Sequence, residues 1–188
     1  MHRKPNRTGR APAAVIIGAA LAVALSGCAA SPARPTVAVA AAVDLPRFMG
    51  AWYVIAHIPT FIEKEAYDAV ETYALDVDGS IKTTFTFRKG GLDGPPKRYQ
   101  PRGFVIPGTS NAVWGMRFVW PIKAEYVISH VDDAYTETII GRSARDYVWI
   151  MARSPTLTPT RYDALVARVR EMGYDTTKLR RVPQRPSN

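Results

Sequence analysis

The chain has 188 residues, of which 47% are hydrophobic and 10% aromatic, enough for one domain with a buried core. Its formal charge is +9, but four of the 25 basic residues lie in the first ten positions and no acidic residue precedes Asp44. Removing residues 1–27 leaves a net charge of about +5, which is only weak evidence for nucleic-acid binding, and no nucleic-acid partner is predicted. The single cysteine excludes an intramolecular disulfide.

The first 27 residues have the pattern of an export signal. A basic segment, MHRKPNRTGR, leads into an apolar run over residues 11–25 that is short for a membrane span. The sequence LSGC at 25–28 resembles the bacterial lipobox, which implies cleavage before Cys28 and a diacylglyceryl group on its thiol. We therefore predict a lipoprotein signal peptide over 1–27, with an uncleaved N-terminal anchor as the alternative.

Residues 28–43 are predicted to be the lipidated cysteine and an Ala/Pro-rich linker. A flexible coil of this length spans roughly 20 Å, and two or three acyl chains hold a protein permanently on a membrane. Ala29 occupies the position where an aspartate resembles an inner-membrane retention signal in enteric-type bacteria. The expected location is therefore the outer membrane, anchored through the acylated N-terminus and facing the periplasm.

Short apolar segments separated by Gly, Pro, Asp and Asn dominate the chain from residue 50 onward and predict strands. Alternation is clear in IKTTFTF from Ile81 and in WGMRFVW from Trp114. Eight consecutive antiparallel strands favour an all-β, up-and-down barrel, because closure removes exposed edges. The predicted strands cover residues 51–58, 67–75, 81–88, 98–106, 112–120, 124–131, 135–141 and 147–153.

One helix is predicted after the strands. Thr158 suits the N-cap, Pro159 the first turn and Gly173 the stop. Its apolar residues recur at helical spacing, which predicts packing on the outside of the barrel, with a partner or membrane surface as the alternative reading.

Two separated segments resemble the lipocalin family, and more narrowly the bacterial lipocalins that are outer-membrane lipoproteins and relatives of apolipoprotein D. The first is Gly50-x-Trp52-Tyr53, and the second is the run WIMARSP that contains Arg153. The resemblance covers residues 44–183, which gives a lipocalin domain there and a tail at 184–188. It implies that Trp52 lies across the closed end of the barrel with Arg153 packed over it.

Candidate ligand contacts follow from strand alternation, since an eight-stranded barrel has room for one small ligand. A register error of one residue would turn a strand's set outward. The predicted cavity residues are Phe85, Phe87, Trp114, Met116, Phe118 and Tyr126.

The connections that follow odd-numbered strands lie together at one end of an up-and-down barrel and are rich in basic residues. The resemblance to lipocalins implies that this end is the open mouth. A basic mouth above an aromatic interior suits a ligand with an anionic head and an acyl tail. Chance asymmetry among solvated loops is the alternative. The basic residues assigned to the mouth are Arg88, Lys97, Arg98, Lys123, Arg142 and Arg145.

The expected function is binding of a fatty acid or lysophospholipid at the outer membrane, for storage, transport or envelope maintenance. Neither a catalytic constellation nor metal-ligand spacing is recognised, so no enzyme activity, cofactor or metal is predicted. His57 is read as a structural histidine, with a base facing the cavity as the alternative. A scaffold lipoprotein with a filled barrel, a lipid-modifying enzyme and a homodimer stay open.

Overall fold

A computed structural model describes residues 1–2, 36–119 and 122–186. Residues 3–27 of the predicted signal peptide, Cys28, linker residues 29–35, strand residue 120 and tail residues 187–188 therefore lie outside the described residues. Two α-helices, ten strands and one 3-10 helix are described. In chain order they are α1 (Leu45–Phe48), β1 (Gly50–Ile58), β2 (Ala66–Leu75), β3 (Ile81–Lys89), β4 (Pro96–Tyr99), β5 (Arg102–Val105), β6 (Val113–Val119), β7 (Ile122–Val131), β8 (Glu137–Gly141), β9 (Val148–Ala152), α2 (Pro159–Glu171), a 3-10 helix (Thr176–Lys178) and β10 (Arg180–Arg181).

The strands form a closed antiparallel barrel. From β1 to β9, apart from the break between β4 and β5, each strand pairs with the next along the chain, and β1 pairs with β9 to complete the ring. β4 and β5 both pair with β3 and act as two halves of one barrel strand, so the barrel has eight strands. The predicted fold class is confirmed. The predicted strand 98–106 is split at Gln100 and Pro101, because proline has no N–H to give to a ladder.

The two ends of the barrel are built from different connections. One end, here called the open end, carries the connections at 59–65, 90–95 and 142–147, together with the end of β6 and the start of β7. The other, the closed end, carries those at 76–80, 106–112 and 132–136, together with α1.

A β-bulge in β1 sets which side chains face the barrel interior. The register with β9 shifts between Val54 and Ala56. Trp52 and Val54 belong to the interior cluster, whereas Ala56 and Ile58 belong to the outer cluster under α2. The extra residue changes the phase of the strand, and this turns His57 inward.

Helix α2 packs on the outside of the barrel, as predicted. Thr158 caps it, and Leu165 and Val169 are buried against outer-face residues such as Ile139 and Ile150. Beyond the helix, β10 adds to β1 opposite Ala56 and His57, a pairing that the sequence reading lacked.

The segment 36–43, assigned to the linker from sequence, packs along the barrel wall. It starts at the open end, where Thr36 N–H donates to Ser143 Oγ at 3.0 Å. It ends at the closed end, where Val43 N–H donates to the carbonyl of Ser110 at 2.9 Å. Val37 and Val43 are both buried. Only residues 29–35 then separate Cys28 from the packed chain.

Candidate ligand cavity

The closed end is plugged by an indole held under a guanidinium. The Trp52 ring is fully buried, and its Nε1–H donates to the carbonyl of Phe48 at 2.8 Å. The Arg153 guanidinium carbon lies 3.7 Å from the centroid of that ring, within cation–π range. The two residues named from the family resemblance are therefore in direct contact.

Arg153 also gathers the carbonyls of the segment that closes the barrel. Its guanidinium donates to the carbonyls of Ala51 at 2.7 Å, Arg47 at 2.8 Å and Met49 at 2.8 Å. Its Nε–H donates to the carbonyl of Tyr135 at 3.3 Å. One side chain thus links α1, the start of β1 and the β7–β8 turn.

Aromatic side chains fill the half of the barrel next to the closed end, directly inside this plug. Phe48 packs on Trp52 with ring centroids 5.1 Å apart and meets the edge of Trp114 at 5.6 Å. Trp114 stacks on Tyr126 at 5.3 Å, with planes 13° apart. The interior is therefore solid from the closed end up to Tyr126.

The half of the barrel next to the open end holds a cavity of about 470 Å³. Its wall is mostly apolar and aromatic, with a few carboxylates and one guanidinium. The residues of the wall are Thr60, Phe61, Ile62, Glu63, Glu71, Phe85, Tyr99, Gln100, Pro101, Met116, Phe118, Ala124, Glu125, Tyr126, Arg142, Tyr147 and Trp149.

Glu71 carries a carboxylate into the inner part of this cavity. It accepts hydrogen bonds from the hydroxyls of Tyr73 and Tyr126, and those hydroxyls also contact each other. Burial raises the pKa of Glu71 to about 7, although the hydrogen bond from Tyr73 opposes the shift and the charge of Glu63 adds to it. Burial raises the pKa of both tyrosines well above the usual value, so they stay protonated donors.

A second polar group lies at the top of β1. Glu63 is buried and accepts from Trp149 Nε1–H at 2.8 Å and from the Thr60 hydroxyl at 2.9 Å. Its Oε2 also lies 3.1 Å from His57 Nδ1. His57 is fully buried behind Glu63 and does not belong to the cavity wall, and its Nε2 has no hydrogen-bond partner among the described residues.

Four of the six predicted ligand residues lie on the cavity wall. These are Phe85, Met116, Phe118 and Tyr126, of which Phe118 is 55% exposed at the rim. Trp114 belongs to the aromatic filling below the cavity, and Phe87 is buried against Tyr99 with stacked rings 6.1 Å apart. Both face the interior, as alternation predicts, but packing partners cover them.

The predicted basic mouth reaches the cavity wall at Arg142. Its guanidinium is 3.1 Å from Asp146 and lies over the ring of Tyr147. Lys97 and Arg98 are exposed on β4 beside the open end. Arg88 is directed to the carbonyl of Gly94 at 3.3 Å.

Two of the predicted mouth residues lie on the outer surface instead. Lys123 lies on β7 and its side chain points outward, because its neighbour Ala124 faces the cavity. Its ammonium lies 4.3 Å from the centre of the Phe104 ring. Arg145 turns toward helix α2, where its Nε–H donates to the carbonyl of Met172 at 2.7 Å. Neither side chain belongs to the cavity wall.

Acidic groups outnumber basic ones on the described wall. Glu63, Glu71 and Glu125 face one guanidinium there. At the closed end, Asp76 is paired with Arg102 at 2.9 Å and Lys82 at 3.0 Å. Hydrogen bonding to Lys82 lowers the pKa of Asp76 to about 2. The charge difference between the two ends is therefore smaller than the loop sequences suggest.

The sequence reading missed Glu63, Glu71 and Trp149. Glu71 shares the inward face of β2 with Tyr73, but the run AVETYAL has no clear alternation that would reveal it. Glu63 lies in the β1–β2 connection, where the sequence has no alternation that predicts which way a side chain points. Trp149 alternates with buried Val148 and Ile150, which point outward under α2, so both faces of β9 are apolar.

Within the described ranges, no helix is long and apolar enough to cross a membrane, and no group of three or more His, Cys, Asp or Glu side chains could hold a metal ion.

A closed eight-stranded barrel, plugged at one end and hollow at the other, defines the class of β-barrel proteins that hold one small ligand. The chain belongs to the lipocalin family, since the model of the lipocalin-like domain matches residues 43–184. The family implies binding of a small hydrophobic ligand, and its members are typically not enzymes.

Named relatives come from plants and bacteria. Temperature-induced lipocalin-1 of Arabidopsis thaliana is 29% identical over 76% of this chain and 80% of its own length. The outer membrane lipoprotein Blc of Escherichia coli K12 is 26% identical over 87% of this chain and 93% of its own length. Blc of Vibrio cholerae is 24% identical over 86% of this chain and 94% of its own length.

Solved structures share the fold at low sequence identity. Insecticyanin of the tobacco hornworm Manduca sexta gives a TM-score of 0.62 at 16% identity, covering 82% of this chain and 86% of that chain. Lobster apocrustacyanin A1 gives a TM-score of 0.59 at 16% identity, covering 79% of this chain and 91% of that chain.

Proposed function

We propose that this lipocalin is a lipid-anchored protein of the outer membrane that binds a fatty acid or lysophospholipid in its open-end cavity, for lipid storage, transport or envelope maintenance. The observation that carries the proposal is the cavity itself, about 470 Å³ with a mostly apolar wall at one end of a plugged barrel. Pockets of this size bind single small molecules. A hollow half next to the open end supports a ligand binder over a scaffold with a filled barrel.

The proposed anchor is supported by the N-terminal sequence and by relatives. The lipobox-like LSGC ends at Cys28 after an apolar run of signal-peptide length. The Escherichia coli and Vibrio cholerae relatives are named outer membrane lipoproteins, whereas the plant relative is named a temperature-induced lipocalin. The names of the bacterial relatives, unlike that of the plant relative, therefore support the proposed anchor. Acylation of Cys28 would hold the protein on the membrane.

The charges around the cavity favour one orientation of the ligand. Glu71 lies at the inner end of the cavity, next to Tyr126, whereas Arg142 lies on the β8–β9 connection at the open end. Arg142 attracts an anionic head, and Glu71 repels one where it is ionised, above its pKa of about 7. We therefore place the acyl chain inside the barrel and the head group at the open end.

Ligand binding is tested by filling the cavity. Ala124 lies on the wall, so Ala124→Trp occupies ligand space, whereas Ala167→Trp places the same side chain on the exposed face of α2. Tryptophan fluorescence titration with palmitate and lysophosphatidylethanolamine should give at least a tenfold loss of affinity for the first variant and none for the second. Equal affinities in a folded Ala124→Trp protein would exclude this cavity as the site.

The anchor has its own test. The full chain is expressed in a bacterial host, and the mass of the N-terminal peptide is measured in wild type and Cys28→Ala. We expect a diacylated peptide that begins at residue 28 in wild type only. An unmodified Cys28 would contradict the anchor and leave the ligand-binding result untouched.

A further inference from the structure

Large apolar side chains are exposed at both ends of the barrel. At the open end, Phe61 is 80% exposed and Ile122 is 72% exposed, with Phe118 beside them at the cavity rim. At the closed end, Val77 is fully exposed on the β2–β3 turn. Exposed apolar groups of this kind mark an interaction surface, but exposure alone does not say which end meets a partner.

The path of the N-terminal segment distinguishes the two ends. Thr36 is held at the open end by two hydrogen bonds to Ser143, at 3.0 and 3.2 Å, and by the Arg145 guanidinium, which donates to its carbonyl at 2.9 Å. From there the chain descends along the wall, and Ala40 N–H donates to the carbonyl of Ile128 at 2.9 Å. The packed chain therefore starts at the open end.

Chain length then limits how far the open end can lie from the anchor. Seven residues, 29–35, separate Cys28 from Thr36, and the eight Cα–Cα steps between the two allow roughly 28 Å at full extension. A ten-residue strand such as β2, tilted in a barrel, rises about 25 Å along the barrel axis. If the closed end faced the membrane, the tether would be stretched along the whole barrel, whereas with the open end facing the membrane it needs no such extension.

We propose that the open end docks on the surface of the lipid bilayer, with Phe61, Phe118 and Ile122 in the interfacial region. The inference rests on the proposed acylation of Cys28 and extends it, because acylation alone does not orient the barrel. In this orientation the cavity faces the lipid directly. A ligand then moves between bilayer and cavity without crossing water, and the docked surface takes part in ligand transfer.

The first test measures which end touches the bilayer. The lipidated full chain carries an environment-sensitive thiol probe at Ile122→Cys or at Val77→Cys, and is reconstituted in phosphatidylethanolamine/phosphatidylglycerol vesicles. We expect a blue-shifted probe at 122 and quenching by spin-labelled lipid at least threefold stronger than at 77. Equal quenching, or stronger quenching at 77, would overturn the proposal.

The same samples distinguish a bilayer from a second copy of the chain. A probe at 122 that is already blue-shifted in detergent without vesicles, in a protein that runs as a dimer, would overturn membrane docking and make the open end an interface between copies. A blue shift that appears only with vesicles supports docking.

The second test measures transfer. Ile122 lies outside the cavity wall, so Ile122→Asp should slow transfer of a fluorescent fatty acid from vesicles to the protein at least fivefold while leaving its affinity in solution unchanged. Val77→Asp, an identical change at the closed end, should leave both unchanged. Equal transfer rates in the two variants would overturn docking, whereas absent acylation or absent ligand binding in wild type would contradict the proposed function itself.

Discussion

Arg153 is the side chain on which the contacts of the closed end converge. It stacks on Trp52 and donates to carbonyls of α1 and the start of β1. Gly50 has a φ of +94°, and a Cβ there would lie 3.3 Å from Arg153 Nη1. The glycine of the Gly-x-Trp motif therefore serves both a left-handed backbone and the approach of this guanidinium.

Replacing Arg153 should destabilise the barrel without touching the cavity. Arg153→Ala removes the cation–π contact and leaves several carbonyls without a donor, which should cost about 2 to 4 kcal/mol of unfolding free energy. Urea denaturation measures the loss. Arg153→Lys keeps the charge but not the fork of donors, so it should fall between wild type and alanine. An unchanged midpoint for Arg153→Ala would contradict the role of this clamp.

Glu71 should make the stability of the protein depend on pH. Burial raises its pKa from 4.5 to about 7, so between these values the folded state holds a proton that the unfolded state has released. The free energy of unfolding should therefore fall as pH rises across this range. Glu71→Gln should flatten that part of the curve and stabilise the protein at pH 8 by on the order of 2 kcal/mol.

The check is a series of urea denaturations from pH 5 to 8 on wild type and Glu71→Gln. Glu65→Gln is the matched control, because Glu65 is an exposed glutamate of the β1–β2 connection. Parallel curves for wild type and Glu71→Gln would show that Glu71 ionises normally.

At the scale of elements, helix α2 is fastened to the barrel by more than its apolar face. Arg161 donates to both oxygens of Glu137 on β8, at 2.8 and 2.6 Å. The Glu137 carboxylate is buried, so loss of its partner leaves a charge with poor solvation. Apolar periodicity places Arg161 on the polar side of the helix, and only the docked geometry reveals this ion pair.

Arg161→Ala should therefore destabilise the protein more than a typical surface change, because the buried Glu137 carboxylate loses its partner. Arg170→Ala, an exposed arginine of the same helix, should cost less than about 0.5 kcal/mol. Thermal unfolding followed by circular dichroism measures both. Similar midpoints for the two variants would contradict an ion pair that fastens the helix.

Strand number, strand order and the outer helix were predictable because alternation, turn residues and capping residues are local signals. The bulge in β1 was not, since the extra residue is defined by the register with β9 and not by its own sequence. The packing of 36–43 was hidden for a similar reason. An Ala/Pro-rich segment has a linker composition, and its two buried valines find partners only in the folded barrel.

The candidate site was predictable in part. Alternation identified interior residues such as Phe85 and Met116, but it could not divide the interior into a filled and a hollow half. That division depends on the size of side chains from several strands at one level. Trp114, which meets Phe48 and stacks on Tyr126, shows how distant segments decide where the cavity begins.

At the scale of the whole molecule, the two ends of the barrel offer a ligand different surroundings. The closed end is filled by aromatic rings, the inner cavity carries the Glu71 carboxylate, and Lys97 and Arg98 are exposed beside the open end. In the proposed orientation, the apolar wall accommodates the acyl chain and the anionic head lies toward the open end. This orientation makes the head group, not the chain, sensitive to the charges on β4.

The charges of Lys97 and Arg98 should distinguish an anionic ligand from a neutral ligand of equal chain length. Lys97→Glu combined with Arg98→Glu should weaken palmitate binding about three- to tenfold, because two exposed charges near the head group change sign across a screened distance. Binding of monopalmitoylglycerol should change less than twofold, and 0.5 M salt should remove most of the difference. Fluorescence titration of both ligands gives the comparison. Equal losses for the two ligands would mean that the head group does not lie near β4, and would favour a ligand buried with its polar end toward Glu71.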